Sequence, residues 1–204
     1  MFVKRVLDLV LATLLLVVLS PIVVVLFAAM AISAAVRPRD RGGFFYREAR
    51  VSRGRVFELL KFRTLTAEAL ANMRAAGSHA RLYEADSANL TWVGRRLLKP
   101  WYLDELPQLL NIVKGDMSLV GPRPWPIEMV ERQVASGVDY RNRIRAGLTG
   151  PAQVTKGGDS RYQDLDTEYL ARINSLSSWG LVRYDLQILR QTLQVIARGE
   201  GLNY

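Results

Sequence analysis

Apolar residues are not spread evenly along this chain. Leu9 to Val36 is a run of 28 positions without a charge, bounded by Asp8 and Arg37. An apolar stretch of that length predicts a membrane-embedded helix. Built as one straight helix it would reach about 42 Å, against a hydrocarbon core of about 30 Å. Ser20-Pro21 falls near its middle. Proline lacks an N–H and crowds the preceding turn, so a kink is predicted there. The Ser20 hydroxyl is placed to satisfy a freed carbonyl.

Lys4 and Arg5 precede the run, and Arg37, Arg39 and Arg41 follow it. Basic flanks stay on the cytoplasmic side, and a straight span cannot keep both there. A helix that enters, bends at Ser20-Pro21 and leaves by the same face satisfies both. The expectation is therefore a re-entrant membrane helix over residues 1–36 and a cytosolic domain over 37–204. A cleaved signal peptide fits poorly, because its apolar core is only about 7–15 residues.

Beyond the membrane segment the pattern is that of a water-facing domain. Phe44-Phe45-Tyr46 and Val51 to Phe62 alternate as two short strands with Arg53-Gly54-Arg55 as their turn. Thr64 to Ala76 predicts a helix stopped by Gly77, and polar Gly77 to Asn89 predicts a loop. Thr91 to Trp101 mixes aromatic, aliphatic and basic residues, which suits either a membrane interface or an amphipathic helix packed on the domain. Helices are predicted at Leu103 to Val113, Pro126 to Ser136 and most of Arg161 to Gly199, with a short strand at Ala152 to Thr155. The last helical stretch carries Leu181, Val182, Leu186, Leu189, Leu193 and Ile196 as one expected buried face. The fold class is α+β and helix-rich, with short strands.

Composition narrows the chemistry. The net charge is +9 from 28 basic and 19 acidic residues, so an anionic partner is expected. Arg37 to Arg63 holds nine basic and three acidic residues. That cluster, directly after the membrane segment, is attracted to anionic headgroups. There is no cysteine, which removes disulfides, thiolate metal sites and thiol nucleophiles. A lone histidine, His79, leaves no basis for a His-based metal site or a Ser-His-Asp triad. Neither a P-loop nor a Rossmann fingerprint is present.

What stands out is Leu103-Asp104-Glu105-Leu106-Pro107. Proline suits a first helical turn, so both carboxylates lie at or just before a helix N-terminus, where the macrodipole favours them. An ordinary acidic cap explains that much. Lys61, Arg63, Lys99, Arg123 and Lys156, however, lie in segments that are not amphipathic surface helices. Arg123 is bracketed by Pro122 and Pro124, which stiffen its backbone for bidentate phosphate binding. Paired carboxylates near several cations suit a Mg²⁺–pyrophosphate site, with one carboxylate available as a nucleophile.

At these residues the chain resembles the bacterial sugar transferase family, the small monotopic phosphoglycosyl transferases. Lys4-Arg5-Val6-Leu7-Asp8 with the Ser20-Pro21 break is similar to the family's membrane segment, and Lys61-Phe62-Arg63-Thr64 to its K-F-R-[ST] motif. Leu103 to Leu109 and Lys114 to Pro124 resemble its central signature, and Gly147 to Val154 its G-[IL]-T-G-x-A-Q-V motif. The resemblance implies transfer of a phosphosugar from a UDP-sugar to a polyprenyl (undecaprenyl) phosphate, releasing UMP, as a first membrane step of glycoconjugate or polysaccharide biosynthesis. It implies Asp104 as nucleophile, forming an aspartyl-phosphosugar, and Glu105 as its partner in Mg²⁺ or proton handling. Lys61, Arg63, Lys99, Arg123 and Lys156 are then phosphate ligands, and Pro122, Pro124 and Gln153 further substrate contacts. It also implies a monotopic protein of the bacterial inner membrane with its catalytic domain on the cytoplasmic face, no nucleic-acid partner, and a homodimer as a compatible state.

The chain departs from the family pattern in three places. Lys99-Pro100-Trp101-Tyr102 stands before the dyad where relatives carry basic residues then Ser or Thr, with Lys99 at a common Arg position. Thr155-Lys156-Gly157 replaces the usual N-G-R, and Gly94 is one residue farther from the dyad than usual. The alternative from another class is a membrane-anchored, non-catalytic module binding anionic lipid or nucleic acid. Its binding would weaken steeply with salt and ignore Mg²⁺.

Overall fold

The computed structural model describes residues 2–155 and 162–198. Two apolar helices, α1 (Phe2–Val18) and α2 (Ser20–Val36), lead into a hairpin of β1 (Phe45–Ser52) and β2 (Arg55–Phe62). Next come α3 (Ala67–Ala75) and α4 (Ala80–Glu84), a π turn at Gly94–Leu98, a 3₁₀ turn at Leu103–Glu105 and α5 (Gln108–Lys114). The remainder is β3 (Ser118–Val120), α6 (Ile127–Ala135), α7 (Tyr140–Arg143), β4 (Gly147–Thr149), α8 (Pro151–Val154), α9 (Tyr162–Ser175) and α10 (Ser178–Ala197). The expected helix-rich α+β class is observed.

Among the described residues no single helix is long and apolar enough to cross a membrane, but α1 and α2 qualify together, bent by 55° at their junction. Pro21 has no N–H to give, and the Ser20 hydroxyl donates to the Val17 carbonyl at 2.7 Å. Backbone bonds resume on either side, Leu19 N–H to Leu15 O and Val23 N–H to Leu19 O. The break therefore falls where the Ser-Pro pair predicts it.

The chain divides into two compact units. The first comprises Met1–Leu14, Ala49–Leu59 and Leu110–Tyr204. Its centre is a parallel pair, β3 with β4, in the register Ser118 to Gly147 and Val120 to Thr149. Only glycine allows the approach beyond it: a Cβ on Gly147 would come within 2.1 Å of the Gly121 nitrogen. Two expectations fail in this unit. Ala152 to Thr155 is not a strand, since Pro151 at the first helical position turns the segment into α8. The face of α10 is also rotated from the expected one. Leu181, Val182, Asp185, Ile188 and Thr192 are buried, while Leu186, Leu193 and Ile196 face outward. Thr192 meets the Thr149 hydroxyl at 2.8 Å, and Asp185 is drawn in by Lys4. Polar partners, which hydropathy spacing cannot see, orient this helix.

The second unit comprises Leu15–Glu48 and Leu60–Leu109. Its core gathers Leu26 and Met30 of α2 with Phe62, Val93 and Leu98. Fully burying a side chain of this size contributes roughly 2 kcal/mol. Phe27 meets Phe44, Phe45 and Phe62 edge to face, with centroids 5.4 to 5.8 Å apart. A smaller cluster holds Leu65, Ala69, Met73 and Ala80. α3 begins later than predicted because Thr66 caps it, accepting from the Ala69 N–H. The polar stretch expected to be a loop forms α4 and a 3₁₀ turn at Ser87–Asn89.

Candidate active site

The carboxylate pair is set by the backbone just before it. The Lys99 N–H bonds back to the Gly94 carbonyl, closing a π turn. A π turn spends one residue more than an α-helical turn between Gly94 and the dyad. Gly94 is obligatory here, since a Cβ would lie 2.5 Å from the Thr64 carbonyl oxygen. Tyr102 then adopts a left-handed conformation at φ 55°. A bulky residue there is strained by about 1 kcal/mol, and such strain gathers at functional sites. The 3₁₀ turn Leu103–Glu105 follows, so the dyad lies just before α5, as Pro107 predicts. Leu98 is fully buried and Leu103 and Leu106 pack beside it, so apolar anchors on both sides hold the turn.

Asp104 is 1% exposed and Glu105 8%. The Lys99 ammonium donates to Asp104 Oδ2 at 3.3 Å and to Glu84 Oε2 at 2.9 Å. The Thr64 hydroxyl donates to Glu84 Oε1 at 2.6 Å, and Lys61 Nζ lies 3.6 Å from Glu105 Oε1. Three carboxylates and two ammoniums thus share one part of the second unit. Burial pushes the Asp104 pKa up to about 6; Lys99 opposes this, whereas Glu105 and Glu84 add to it. Burial acts on Glu84 in the same sense, but Lys99 and Thr64 outweigh it and hold that carboxyl below its ordinary range. Burial disfavours the Lys99 ammonium, yet Asp104 and Glu84 together raise its pKa. The arrangement keeps Lys99 charged and Glu84 ionised, while burial disfavours the charge on Asp104.

Glu84 has no sequence signal of its own. It is one acidic residue in a polar stretch, and only the fold of α4 brings it to Lys99.

The other predicted positions divide clearly. The buried Arg63 guanidinium donates to the carbonyls of Gly43, Leu65 and Asp40, so it ties the end of β2 to the backbone of its own unit. Each of its three guanidinium nitrogens thus bonds a carbonyl. Arg123 belongs to the first unit, its carbonyl held by the Arg141 guanidinium. Arg141 is itself fixed by Asp166 at 3.2 Å and lies 3.8 Å over the Trp125 ring. Pro122 and Pro124 are buried on either side. Gln153 is buried, and neither of its amide atoms is hydrogen-bonded to a described residue. Lys156 lies outside the described residues.

Among the described residues no cluster of three or more His, Cys, Asp or Glu side chains has metal-binding geometry. Asp104 and Glu105 nevertheless fit the chemistry of Mg²⁺, which commonly takes one or two carboxylates and completes its shell with phosphate oxygens and water.

The model of the bacterial sugar transferase family matches residues 1–199, and the chain belongs to that family. It is 36% identical over 210 residues to the undecaprenyl-phosphate galactose phosphotransferase of Salmonella typhimurium, covering 98% of this chain and 41% of the relative. It is 36% identical over 195 residues to the UDP-glucose:undecaprenyl-phosphate glucose-1-phosphate transferase of Caulobacter vibrioides, covering 93% and 68%. Against the exopolysaccharide production protein ExoY of Sinorhizobium fredii it is 33% identical over 211 residues, covering 97% and 87%. The chain thus spans about two-fifths of the Salmonella protein and most of the length of ExoY.

Proposed function

We propose that this protein transfers a phosphosugar from a UDP-sugar to undecaprenyl phosphate, leaving undecaprenyl diphosphate sugar and UMP. The observation that carries the reading is the buried Asp104 carboxylate, bound through Oδ2 to Lys99 and followed directly by Glu105. The names of the Salmonella and Caulobacter relatives describe transfer to the same lipid phosphate.

The reaction proceeds in two displacements. The Asp104 carboxylate attacks the sugar-side phosphorus through one of its oxygens. The phosphoanhydride P–O bond breaks and its electron pair leaves with UMP. A phosphate oxygen of the acceptor then attacks the same phosphorus, and the Asp104 carboxylate departs. Desolvation makes the anion a better nucleophile than a hydrated carboxylate, while Lys99 keeps it oriented. Asp104 and Glu105 would hold Mg²⁺, which when bound neutralises charge on the diphosphate. Lys61 supports Glu105. Arg123, stiffened by its two prolines and by Arg141, is proposed as a phosphate ligand, and the Gln153 amide as a polar substrate contact. Both assignments rest on their motifs. The bent α1–α2 pair is proposed to re-enter the cytoplasmic leaflet of the inner membrane, which sets the protein at the depth of the acceptor phosphate.

The decisive experiment incubates purified full-length protein with Mg²⁺, undecaprenyl phosphate and a panel of UDP-sugars while UMP is measured. UMP release by the wild type, its loss in Asp104→Asn, and a phosphosugar adduct on the Asp104 peptide are the expected results. Undiminished turnover in folded Asp104→Asn overturns the nucleophile assignment.

A further inference from the structure

From the ties among Glu84, Lys99 and Asp104, we infer that Glu84 is a positioning residue for the transfer. It holds the Lys99 ammonium where that group fixes Asp104 Oδ2 and so orients the carboxylate. The inference rests on the reading of Asp104 as the nucleophile.

Lys99 reaches Asp104 on a long, flexible stem that by itself has many rotamers. Two carboxylates share its ammonium, and the nearer is Glu84, at 2.9 Å against 3.3 Å for Asp104. Glu84 is steadied in turn by the Thr64 hydroxyl on its other oxygen at 2.6 Å. Thr64 is a fixed point: its carbonyl accepts from the Thr91 N–H at 2.7 Å, and its side chain is buried. A chain of hydrogen bonds therefore runs from Thr91 through Thr64, Glu84 and Lys99 to the nucleophile. The Lys99 side chain is 35% exposed, whereas those of Glu84 and Asp104 are 12% and 2%. The ammonium is thus the mobile member, and without Glu84 it has open solvent to move into.

A second consequence concerns charge. Were Lys99 paired with Asp104 alone, its full attraction would stabilise the carboxylate and blunt its nucleophilicity. Glu84 draws part of that attraction away. The same ammonium orients Asp104 without quenching it. Glu84 touches no reacting atom; its hydrogen-bonded route to Asp104 runs through Lys99.

The test compares Glu84→Ala, Glu84→Gln, Lys99→Ala and the double variant Glu84→Ala/Lys99→Ala, each checked for wild-type thermal unfolding. Glu84→Ala is expected to lower kcat about tenfold to a hundredfold, the usual cost of misplacing a reacting group, with donor KM within about twofold. Glu84→Gln, which keeps the Thr64 bond but not the charge, is expected to fall between Glu84→Ala and the wild type. In the Lys99→Ala background, removing Glu84 is expected to cost far less than in the wild type, because its hydrogen-bonded route to Asp104 is gone. An independent readout needs no turnover. Acylation of the Lys99 amine by an N-hydroxysuccinimide ester, followed by mass spectrometry, should be faster in Glu84→Ala than in the wild type. Equal loss on both backgrounds, an unchanged kcat in folded Glu84→Ala, or unchanged Lys99 labelling overturns the inference. Absence of UMP release from the wild type with every donor would instead overturn the reaction itself, while the labelling still reads the Glu84–Lys99 tie.

Discussion

The Lys4 ammonium, at the start of α1, donates to Asp185 Oδ2 in α10 at 2.6 Å, and both residues are buried. It also donates to the Val120 carbonyl at 3.1 Å, and the Tyr169 hydroxyl donates to the other Asp185 oxygen at 2.6 Å. One turn farther along α1, Asp8 accepts from the Ser118 hydroxyl and the Leu119 N–H. The base of the first apolar helix is therefore fastened by charged and polar bonds to β3 and α10 of its own unit. Charges that read in the sequence as topology signals are internal struts.

Removing one member of such a pair strands its partner's charge in a dry site. Lys4→Ala is expected to cost about 3–5 kcal/mol. Replacing both Lys4 and Asp185 with apolar residues of similar volume should recover most of it. Denaturant unfolding of the purified protein in a fixed detergent measures both, and a Lys4→Ala loss below about 1 kcal/mol would contradict a buried pair.

The raised pKa of Asp104 gives a pH dependence with a definite sign. The carboxylate must be ionised to attack, so kcat/KM should fall about tenfold per pH unit below about 6 and level off above it. Stability should run the other way. The folded-state value lies above the ordinary 3.8, so this group's contribution is fully favourable below that value and is lost as pH rises through about 6. Asp104→Asn should then raise the melting temperature at pH 8 and leave it nearly unchanged at pH 4. A destabilised variant at pH 8 would mean that Lys99 stabilises the anion more than burial penalises it.

Pro21 is expected to enforce the return of the apolar helix to its starting face. The chain has no native cysteine, so single cysteines at Phe2 and at exposed Leu82 can be labelled cleanly with an impermeant maleimide. Both should label from the cytoplasmic side in the wild type. In the Lys4→Ala background, where the base of α1 is less firmly fastened, Pro21→Ala restores an N–H donor and should turn a measurable fraction of the Phe2→Cys sites to the opposite side. Opposite-side labelling without the Pro21 change would rule out re-entry.

Features carried by adjacent residues were legible in the chain itself. The 28-residue uncharged run, its break at Ser20-Pro21 and the hairpin around Arg53-Gly54 depend on hydropathy and backbone preference over a few positions. So does the placement of Asp104 and Glu105 just ahead of a helix. Local sterics and the missing proline donor act wherever they occur, whatever packs around them.

Only the tertiary structure decided which polar groups meet. Glu84 reaches Lys99 because α4 forms where polar residues suggested a loop, and Arg63 is taken up by the distant carbonyls of Asp40 and Gly43 as well as by that of nearby Leu65. The side of α10 that turns inward is chosen by Lys4 and Thr149, far away in sequence. Hydrogen bonds and ion pairs between distant residues leave no periodicity behind, since each needs only one donor and one acceptor. Their energies depend on burial, and burial is a property of the folded chain rather than of any stretch of it.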